Sequence, residues 1–229
     1  MAMHRLWVRI SFAALAGLWW AGGSNAVAAD MNSVTLPEAQ HDGGMSVERA
    51  IAQRRSVREF SAIPITLRQL GQLLWAAQGI TSDDGRRASP SAGALYPLEV
   101  YVLAGNVESL APGVYHYEPV GHRLRRVYGG DARQVLAAAA LGQHAIVEAA
   151  AVIVLTAVVE RTARKYGRRA ERYVDMEAGH AAQNLWLQAV ALHLGLVSMG
   201  AFDDAAVCEA LHLPRDQQPL YILPTGHAR

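Results

Sequence analysis

Residues suited to binding an anion are concentrated at positions 54–58, which read Arg-Arg-Ser-Val-Arg. In an extended chain, residues at i, i+2 and i+4 share a face, so Arg54, Ser56 and Arg58 would converge. Two guanidinium groups and a hydroxyl can hold a phosphate, because arginine pairs bidentately with phosphate oxygens. The alternative is an arginine run in solvent that pairs with neighbouring acids, and charge alone favours this second interpretation.

A candidate acid/base pair is formed by Lys165 and Tyr166. Lys165 is the one lysine in a chain that has 20 arginines. Arginine does not release its proton usefully, whereas lysine can be tuned toward neutrality and act as a base, and an adjacent tyrosine can relay a proton. The alternative is an ordinary pair on a helix surface.

Two further segments could lie against a flat ligand. The loop at 89–97 (Ser-Pro-Ser-Ala-Gly-Ala-Leu-Tyr-Pro) leads into a strand, and its small residues would let backbone approach a ring closely. Residues 177–184 (Glu-Ala-Gly-His-Ala-Ala-Gln-Asn) are predicted to begin a long helix, with the acid in its first turn. Gly179 and Ala182 would leave room there for a ligand or, equally, for another helix. An ordinary turn is the alternative for the loop.

The composition excludes several classes of protein. The chain has 229 residues, of which 52% are hydrophobic, so it can bury a core and is not disordered. Its formal net charge is only +1, which argues against a nucleic-acid partner. The single cysteine, Cys208, excludes an internal disulfide and a cysteine-cluster metal site. The histidines show no spacing typical of metal ligands, so we predict no metal site.

The N-terminus is typical of a targeting sequence. Arg5 and Arg9 precede an apolar run at 10–23, and small residues with an Ala-x-Ala pattern follow. We therefore predict a signal peptide at 1–29 and an exported, periplasmic or secreted protein. The alternative is an uncleaved N-terminal membrane anchor, although the apolar run is shorter than a bilayer requires. No stable membrane span is expected in the mature chain.

The rest of the chain is predicted to form one α+β domain at 46–229, preceded by a flexible leader at 30–45. Helices and strands intermix without a regular βαβ alternation, which favours a sheet with helices packed on it. A nearly all-apolar segment at 150–159 predicts a strand buried on both faces. The other predicted strands are 98–103, 113–118, 123–128 and 220–223, and the predicted helices are 46–54, 67–78, 131–141, 161–173, 177–194 and 205–211.

Taken together, these motifs resemble the flavin-dependent nitroreductase superfamily. Four of them occur in its order: 54–58, Pro-Ser-Ala-Gly at 90–93, the helix with Gly179 that ends in Gly195-Leu196, and Leu-Pro-x-Gly at 223–226. Residues 93–97, 177–184 and the Lys165-Tyr166 pair are most similar to the SagB-type branch, the azoline dehydrogenases. That branch oxidises thiazoline or oxazoline rings in modified peptides to aromatic azoles.

The resemblance implies an α+β fold with a mixed or antiparallel sheet flanked by helices. It also implies an obligate homodimer with FMN at the subunit interface. In that arrangement Lys165 and Tyr166 would be the catalytic acid/base residues that deprotonate an azoline carbon. The implied cofactor-binding residues are Arg54, Arg55, Ser56 and Arg58 at the phosphate, Pro90, Ser91 and Gly93 from the other subunit along the isoalloxazine, and Ala178 and Gly179 by their backbone at the redox-active edge.

The substrate implied by the resemblance is a small molecule or a modified peptide. A base such as Lys165 is needed for azoline oxidation, because a proton leaves the carbon next to the one that loses hydride. Two alternatives remain open on the sequence alone. One is a general nitro or quinone reductase, and the other is a protein that binds flavin without turnover.

Overall fold

Seven antiparallel strands form the central sheet of the computed structural model, which describes residues 32–229. Their order in the sheet is β1-β4-β3-β2-β5-β7-β6, and each pairing between these strands is antiparallel. The predicted signal peptide at 1–29 lies outside the described residues. The strands are β1 (Ser33–Thr35), β2 (Leu98–Ala104), β3 (Gly113–Glu118), β4 (Arg123–Gly129), β5 (Ala151–Ala157), β6 (Gly195–Leu196) and β7 (Gln218–Gly226).

Helices cover both faces of this sheet, so the α+β prediction is confirmed. One face packs against α2 and α6, and the other packs against α3, α4 and α7. No helix in the range 32–229 is both long enough and apolar enough to cross a bilayer. The helices are α1 (Val47–Gln53), α2 (Leu67–Gln78), α3 (Arg133–Ala139), α4 (Ala145–Glu148), α5 (Val159–Tyr166), α6 (Ala170–Ala191) and α7 (Asp204–Leu211).

Strand β5 is buried on both faces, as its apolar sequence predicts. All seven of its residues are buried. Successive side chains alternate between two apolar cores: Ile153 and Leu155 point to one, and Val152 and Val154 point to the other. The alternation follows from the two-residue repeat of a strand, so each residue of β5 contributes to packing on one side or the other.

The long helix α6 begins earlier than the sequence indicates. A break was expected between residues 173 and 177, but the helix runs without interruption from Ala170 to Ala191. The actual break is at Gly167, whose φ of +54° ends α5 in a left-handed conformation. Residues 174–176 contain neither glycine nor proline and continue the helix. Glu177 therefore lies inside α6 and not in its first turn.

Part of the segment at 30–45, which was predicted to be a flexible leader, is ordered, because residues 33–35 form the edge strand β1. This strand pairs with β4, and the backbone N–H of Leu36 donates to the carbonyl of His122. Leu36 is buried against the core beneath α2. One compact unit thus contains the whole described range and starts before residue 46.

The β3–β4 hairpin is confirmed, and its turn holds an unusual histidine. His122 has left-handed backbone (φ +45°), and its Nδ1 lies 2.8 Å from the Tyr117 hydroxyl. Its Nε2 is buried, and an interaction of the ring with the Pro37 backbone partly opposes the effect of burial on its pKa. Burial lowers the pKa of His122, because a buried imidazolium would lose its hydration.

We expect Leu155→Ala to lower the free energy of unfolding by about 2–5 kcal/mol, the cost of a cavity in a packed core. Leu155 is fully buried. Urea unfolding followed by circular dichroism measures the change. Val120→Ala, at a residue that is 74% exposed, is the control and should leave stability within about 0.5 kcal/mol. Equal effects in the two variants would contradict this assignment of the core.

We expect stability to fall below pH ~6.5 in part because of His122. Its pKa is lowered in the folded state, so the unfolded chain takes up the proton first and acid favours unfolding. His122→Asn, which tolerates left-handed backbone, should show a shallower loss of stability between pH ~7.5 and pH ~5 in urea unfolding. His193→Asn, at an exposed histidine with φ +57°, is the matched control. An identical pH dependence in wild type and His122→Asn would refute this contribution.

Candidate functional site

Helix α6 positions two of the predicted groups of site residues, the loop at 88–97 and the arginine segment, on its opposite flanks. Glu177 and Asn184 are seven residues apart, so at 3.6 residues per turn they lie on the same flank. Trp186 is nine residues beyond Glu177, which places it about 180° around the helix and about 13 Å along it. The first flank holds the loop at 88–97, and the second contacts Arg54.

The loop that precedes β2 has a constrained backbone. Gly93 (φ +64°), Ala94 (φ +54°) and Tyr96 (φ +47°) are all left-handed, a conformation that is costly for the two residues with a Cβ. Three hydrogen bonds offset this cost. Ala92 N–H donates to Glu177 Oε1 (2.8 Å), Tyr96 N–H donates to Ser91 Oγ (2.9 Å), and Arg161 Nη1 donates to the Tyr96 carbonyl (3.1 Å).

The predicted acid/base pair meets this loop at Gly93. A Cβ added at Gly93 would lie 2.8 Å from Lys165 Nζ and 2.9 Å from the Tyr166 hydroxyl. Both polar groups therefore reach the same point of the loop, although Gly93 is far from this adjacent pair in the sequence. Lys165 is exposed, and the Tyr166 ring packs edge-on against Tyr173 at 5.1 Å.

An ion-pair network fixes α5 relative to the sheet. Arg161, one turn before Lys165, pairs with Glu99 at 2.6 Å, and Glu99 also contacts His116 Nε2 at 2.6 Å. Burial alone would raise the pKa of Glu99, but His116 and Arg161 lower it. Since Arg161 also binds the Tyr96 carbonyl, the same residue connects α5, β2 and the loop.

A cleft of about 300 Å³ opens beside the loop. Residues 90–92 form one wall, which includes the predicted Pro90 and Ser91, and α6 forms the other. Glu177 lies at its base with only 4% of its surface exposed. Burial raises the pKa of Glu177, and the hydrogen bond from Ala92 N–H partly opposes that change. The helix wall consists of Tyr173, Met176, Glu177 and His180.

The arginine segment is extended, as its proposed role requires. Val57 packs toward the core, whereas Ser56 and Arg58 on either side of it are exposed. The Arg54 guanidinium carbon lies 3.9 Å from the centre of the Trp186 ring, and Arg54 Nη1 is buried without a hydrogen-bond partner. An anionic group such as a phosphate would satisfy this donor. Arg55 instead donates to the carbonyls of Ala52 and Arg54.

The two remaining predicted residues differ in exposure. Ala178 is 2% exposed, and its side chain packs in the core beneath α6. Gly179 is half-buried, and no atom lies within 4 Å of the position a Cβ would take. Of the pair, Gly179 alone provides open surface, and a backbone contact from Ala178 stays a prediction.

Glu177 and Trp186 were not singled out as site residues by their sequence. A helical pattern could have identified Glu177, since it occupies the buried stripe of α6 with Val174, Ala178 and Ala181. An acid at such a position needs a partner. Nothing in the sequence links Trp186 to Arg54, because their contact depends on how α1 packs on α6. Among residues 32–229 no cluster of three potential metal ligands occurs.

A family model, a relative in sequence and a solved structure all match this chain under the same family description. The family model described as the nitroreductase family matches residues 51–227. A Methanocaldococcus jannaschii protein named as a candidate nitroreductase is 43% identical over 197 residues, covering 86% of this chain and 97% of that protein. A crystal structure from Ralstonia eutropha, also named as a candidate nitroreductase, has a TM-score of 0.76 and 29% identity, covering 86% of this chain and 90% of that one.

A further relative comes from a different kind of protein. The microcin B17-processing protein McbC of Escherichia coli is 30% identical over 154 residues, covering 60% of this chain and 53% of that protein. The match to the family model spans most of the chain, and the M. jannaschii relative is covered over nearly its whole length. The chain therefore belongs to the nitroreductase family.

Proposed function

We propose that this protein is an FMN-dependent oxidoreductase that oxidises its substrate with Lys165 and Tyr166 as the acid/base pair. The observation that carries the proposal is the convergence of Lys165 Nζ and the Tyr166 hydroxyl on Gly93. Family membership supports an oxidoreductase, and the resemblance of the Lys165-Tyr166 pair to azoline dehydrogenases supports oxidation of an azoline ring. The relative that processes microcin B17 adds support for a modified peptide as substrate.

Arg54, Ser56 and Arg58 are the residues we assign to the FMN phosphate. The buried, unpaired Nη1 of Arg54 supports this, since a donor without a partner costs stability unless a ligand supplies one. Arg58 and Ser56 on the same extended segment can add a second charge and a hydroxyl. We assign Arg55 a smaller contribution to phosphate binding, because its guanidinium already donates to the carbonyls of Ala52 and Arg54.

FMN, when bound, supplies the hydride chemistry. The chain's own part is to remove a proton while the substrate is held in place. We assign Lys165 Nζ to take the proton from the azoline carbon and the Tyr166 hydroxyl beside it to hold or relay that proton. Pro90, Ser91 and Gly93 would give the ring a surface of small residues, and Gly179 would add open surface on α6.

A homodimer is part of the proposal, because each chain keeps its phosphate site and its loop on opposite flanks of α6. One FMN cannot contact both flanks by lying along one side of the helix, so we propose that the loop of a second copy completes each site. Exposed apolar residues on neighbouring α1 and α6 support a covered face there: Val47 (63% exposed), Ile51 (55%) and Met176 (48%). Export through residues 1–29 remains our proposal for localisation.

A general nitro or quinone reductase is the second candidate. The names of the M. jannaschii relative and the R. eutropha structure favour it, since both refer to nitroreductases. Such an enzyme needs flavin but no base at Lys165. The visible absorption spectrum of the purified protein, before and after FMN is added, tests both candidates, because a protein that never binds FMN has neither activity.

We expect the Lys165→Met variant to retain bound flavin. A thiazoline-containing peptide should reduce that flavin at least ~100-fold more slowly than in wild type. Reoxidation of dithionite-reduced flavin by the quinone menadione should stay unchanged, since that reaction needs no base. Stopped-flow absorbance measures both rates. Arg164→Met, a neighbouring exposed cation of α5, is the matched control. Unchanged peptide oxidation in Lys165→Met would exclude the acid/base role and favour the general reductase.

We expect Arg54→Met to weaken FMN binding about 10- to 100-fold, which is the worth of a charge-assisted hydrogen bond to a phosphate. Binding of riboflavin, which lacks the phosphate, should change little. Quenching of flavin fluorescence during titration gives both affinities. Arg49→Met, at an exposed arginine of α1, controls for loss of charge. Equal losses for FMN and riboflavin would contradict a phosphate contact at Arg54.

A further inference from the structure

Glu177 is a buried carboxylate to which the proposed chemistry gives no role. It occupies the stripe of α6 that packs on the sheet, next to Ala178 and one turn from Val174 and Ala181. An apolar residue at this position would pack without losing hydration, whereas a carboxylate there must find hydrogen-bond donors. The donors that it finds all belong to the loop at 90–96.

The contacts of Glu177 extend to both ends of that loop. Its Oε1 accepts the Ala92 N–H at 2.8 Å, and the Ser91 side chain faces the carboxylate and helps to lower its pKa. Ser91 Oγ in turn accepts the Tyr96 N–H at 2.9 Å. A carboxylate suits this place better than an amide, because both of its oxygens accept and two donors face it.

The loop held in this way is the one that Lys165 and Tyr166 touch. Gly93 follows Ala92 directly and provides the point on which Lys165 Nζ and the Tyr166 hydroxyl converge. Since Ala94 and Tyr96 have left-handed backbone, the loop would relax toward other conformations if its anchor on α6 were lost. A change at Glu177 would therefore reach Lys165 without any direct contact between the two side chains.

We propose that Glu177 is a positioning residue, which anchors the Ser91–Tyr96 turn to α6 and so fixes the surroundings of Lys165 and Tyr166. Its importance for turnover rests on the proposed function. The free energy of unfolding distinguishes this role from a purely structural one, because a residue that only stabilises the fold would lower it when replaced. Burial raises the pKa of Glu177, although Ala92 N–H, Ser91 and His180 partly oppose that change, so the folded state binds this proton more tightly than the unfolded chain and stability falls as pH rises through the window above ordinary glutamate values. The ionised carboxylate thus costs stability at neutral pH.

Three variants of the full chain test this. Glu177→Leu removes both acceptor oxygens but fills the buried space, Glu177→Gln keeps one acceptor, and Glu171→Leu changes an exposed acid of the same helix as a control. Because Lys165 is the one lysine in the chain, mass spectrometry can follow its acylation by acetic anhydride at a single side-chain amine. Hydrogen exchange of peptides that cover residues 89–97 reports on the loop.

In Glu177→Leu we expect exchange in the loop to accelerate about tenfold and the acylation rate of Lys165 to change by a similar factor. Urea unfolding at neutral pH should show stability no lower than that of wild type. Glu177→Gln should restore part of the wild-type behaviour in both measurements. Glu171→Leu should match wild type throughout.

Unchanged acylation of Lys165 in Glu177→Leu would overturn the inference, and so would an equal change in Glu171→Leu. Loss of stability with an unchanged loop would show that Glu177 is merely structural. These measurements need no flavin, so they stand apart from the proposed function. In a wild-type protein that binds flavin and oxidises a thiazoline-containing peptide, Glu177→Leu should slow that reaction about tenfold, and an unchanged rate would refute the link to turnover alone.

Discussion

The close packing of α6 on the sheet is the constraint on which the rest of the molecule depends. Its buried side chains are mostly alanine, which brings the helix close to β2 and β7. The polar side chains of α6 that contact other segments extend from the edges of this buried stripe. Glu177 and Asn184 do so on one flank and Trp186 on the other, and each contacts a segment that has no regular structure of its own.

Because Glu177 and Asn184 both hold the loop at 88–97, helix geometry decides where the candidate chemistry is placed. Asn184 donates to the Ala88 carbonyl and to Ser89 Oγ, and Glu177 accepts from Ala92 two turns earlier. The loop is thereby held at two points along a rigid element, and its costly left-handed residues lie after the second point. A strained loop on a rigid support keeps one geometry, which is what a site that must orient a proton acceptor needs.

The sequence predicts the parts of the fold that local patterns specify. The apolar period of residues 67–78 defines α2 correctly, and the uninterrupted apolar run defines β5. The break before α6 was misplaced because the chain is interrupted at Gly167, a single residue in a polar segment, whereas residues 174–176 contain no helix breaker. Strand β1 was missed because three residues at a sheet edge carry no period, and their pairing with β4 is a long-range contact.

The candidate site shows the same division, and it also bears on the proposed dimer. The residue types at 54–58, 90–93 and 165–166 were recognisable, but the sequence does not reveal that the second and third groups meet while the first lies beyond α6. Their separation is a consequence of nine helical residues, which turn a side chain through about 180°. In the proposed function, a ligand that needs both the phosphate site and the loop would be shared between two copies of the chain. In a two-fold dimer each loop can face the other copy's arginines, so the geometry that divides the site within one chain would complete it twice in the pair.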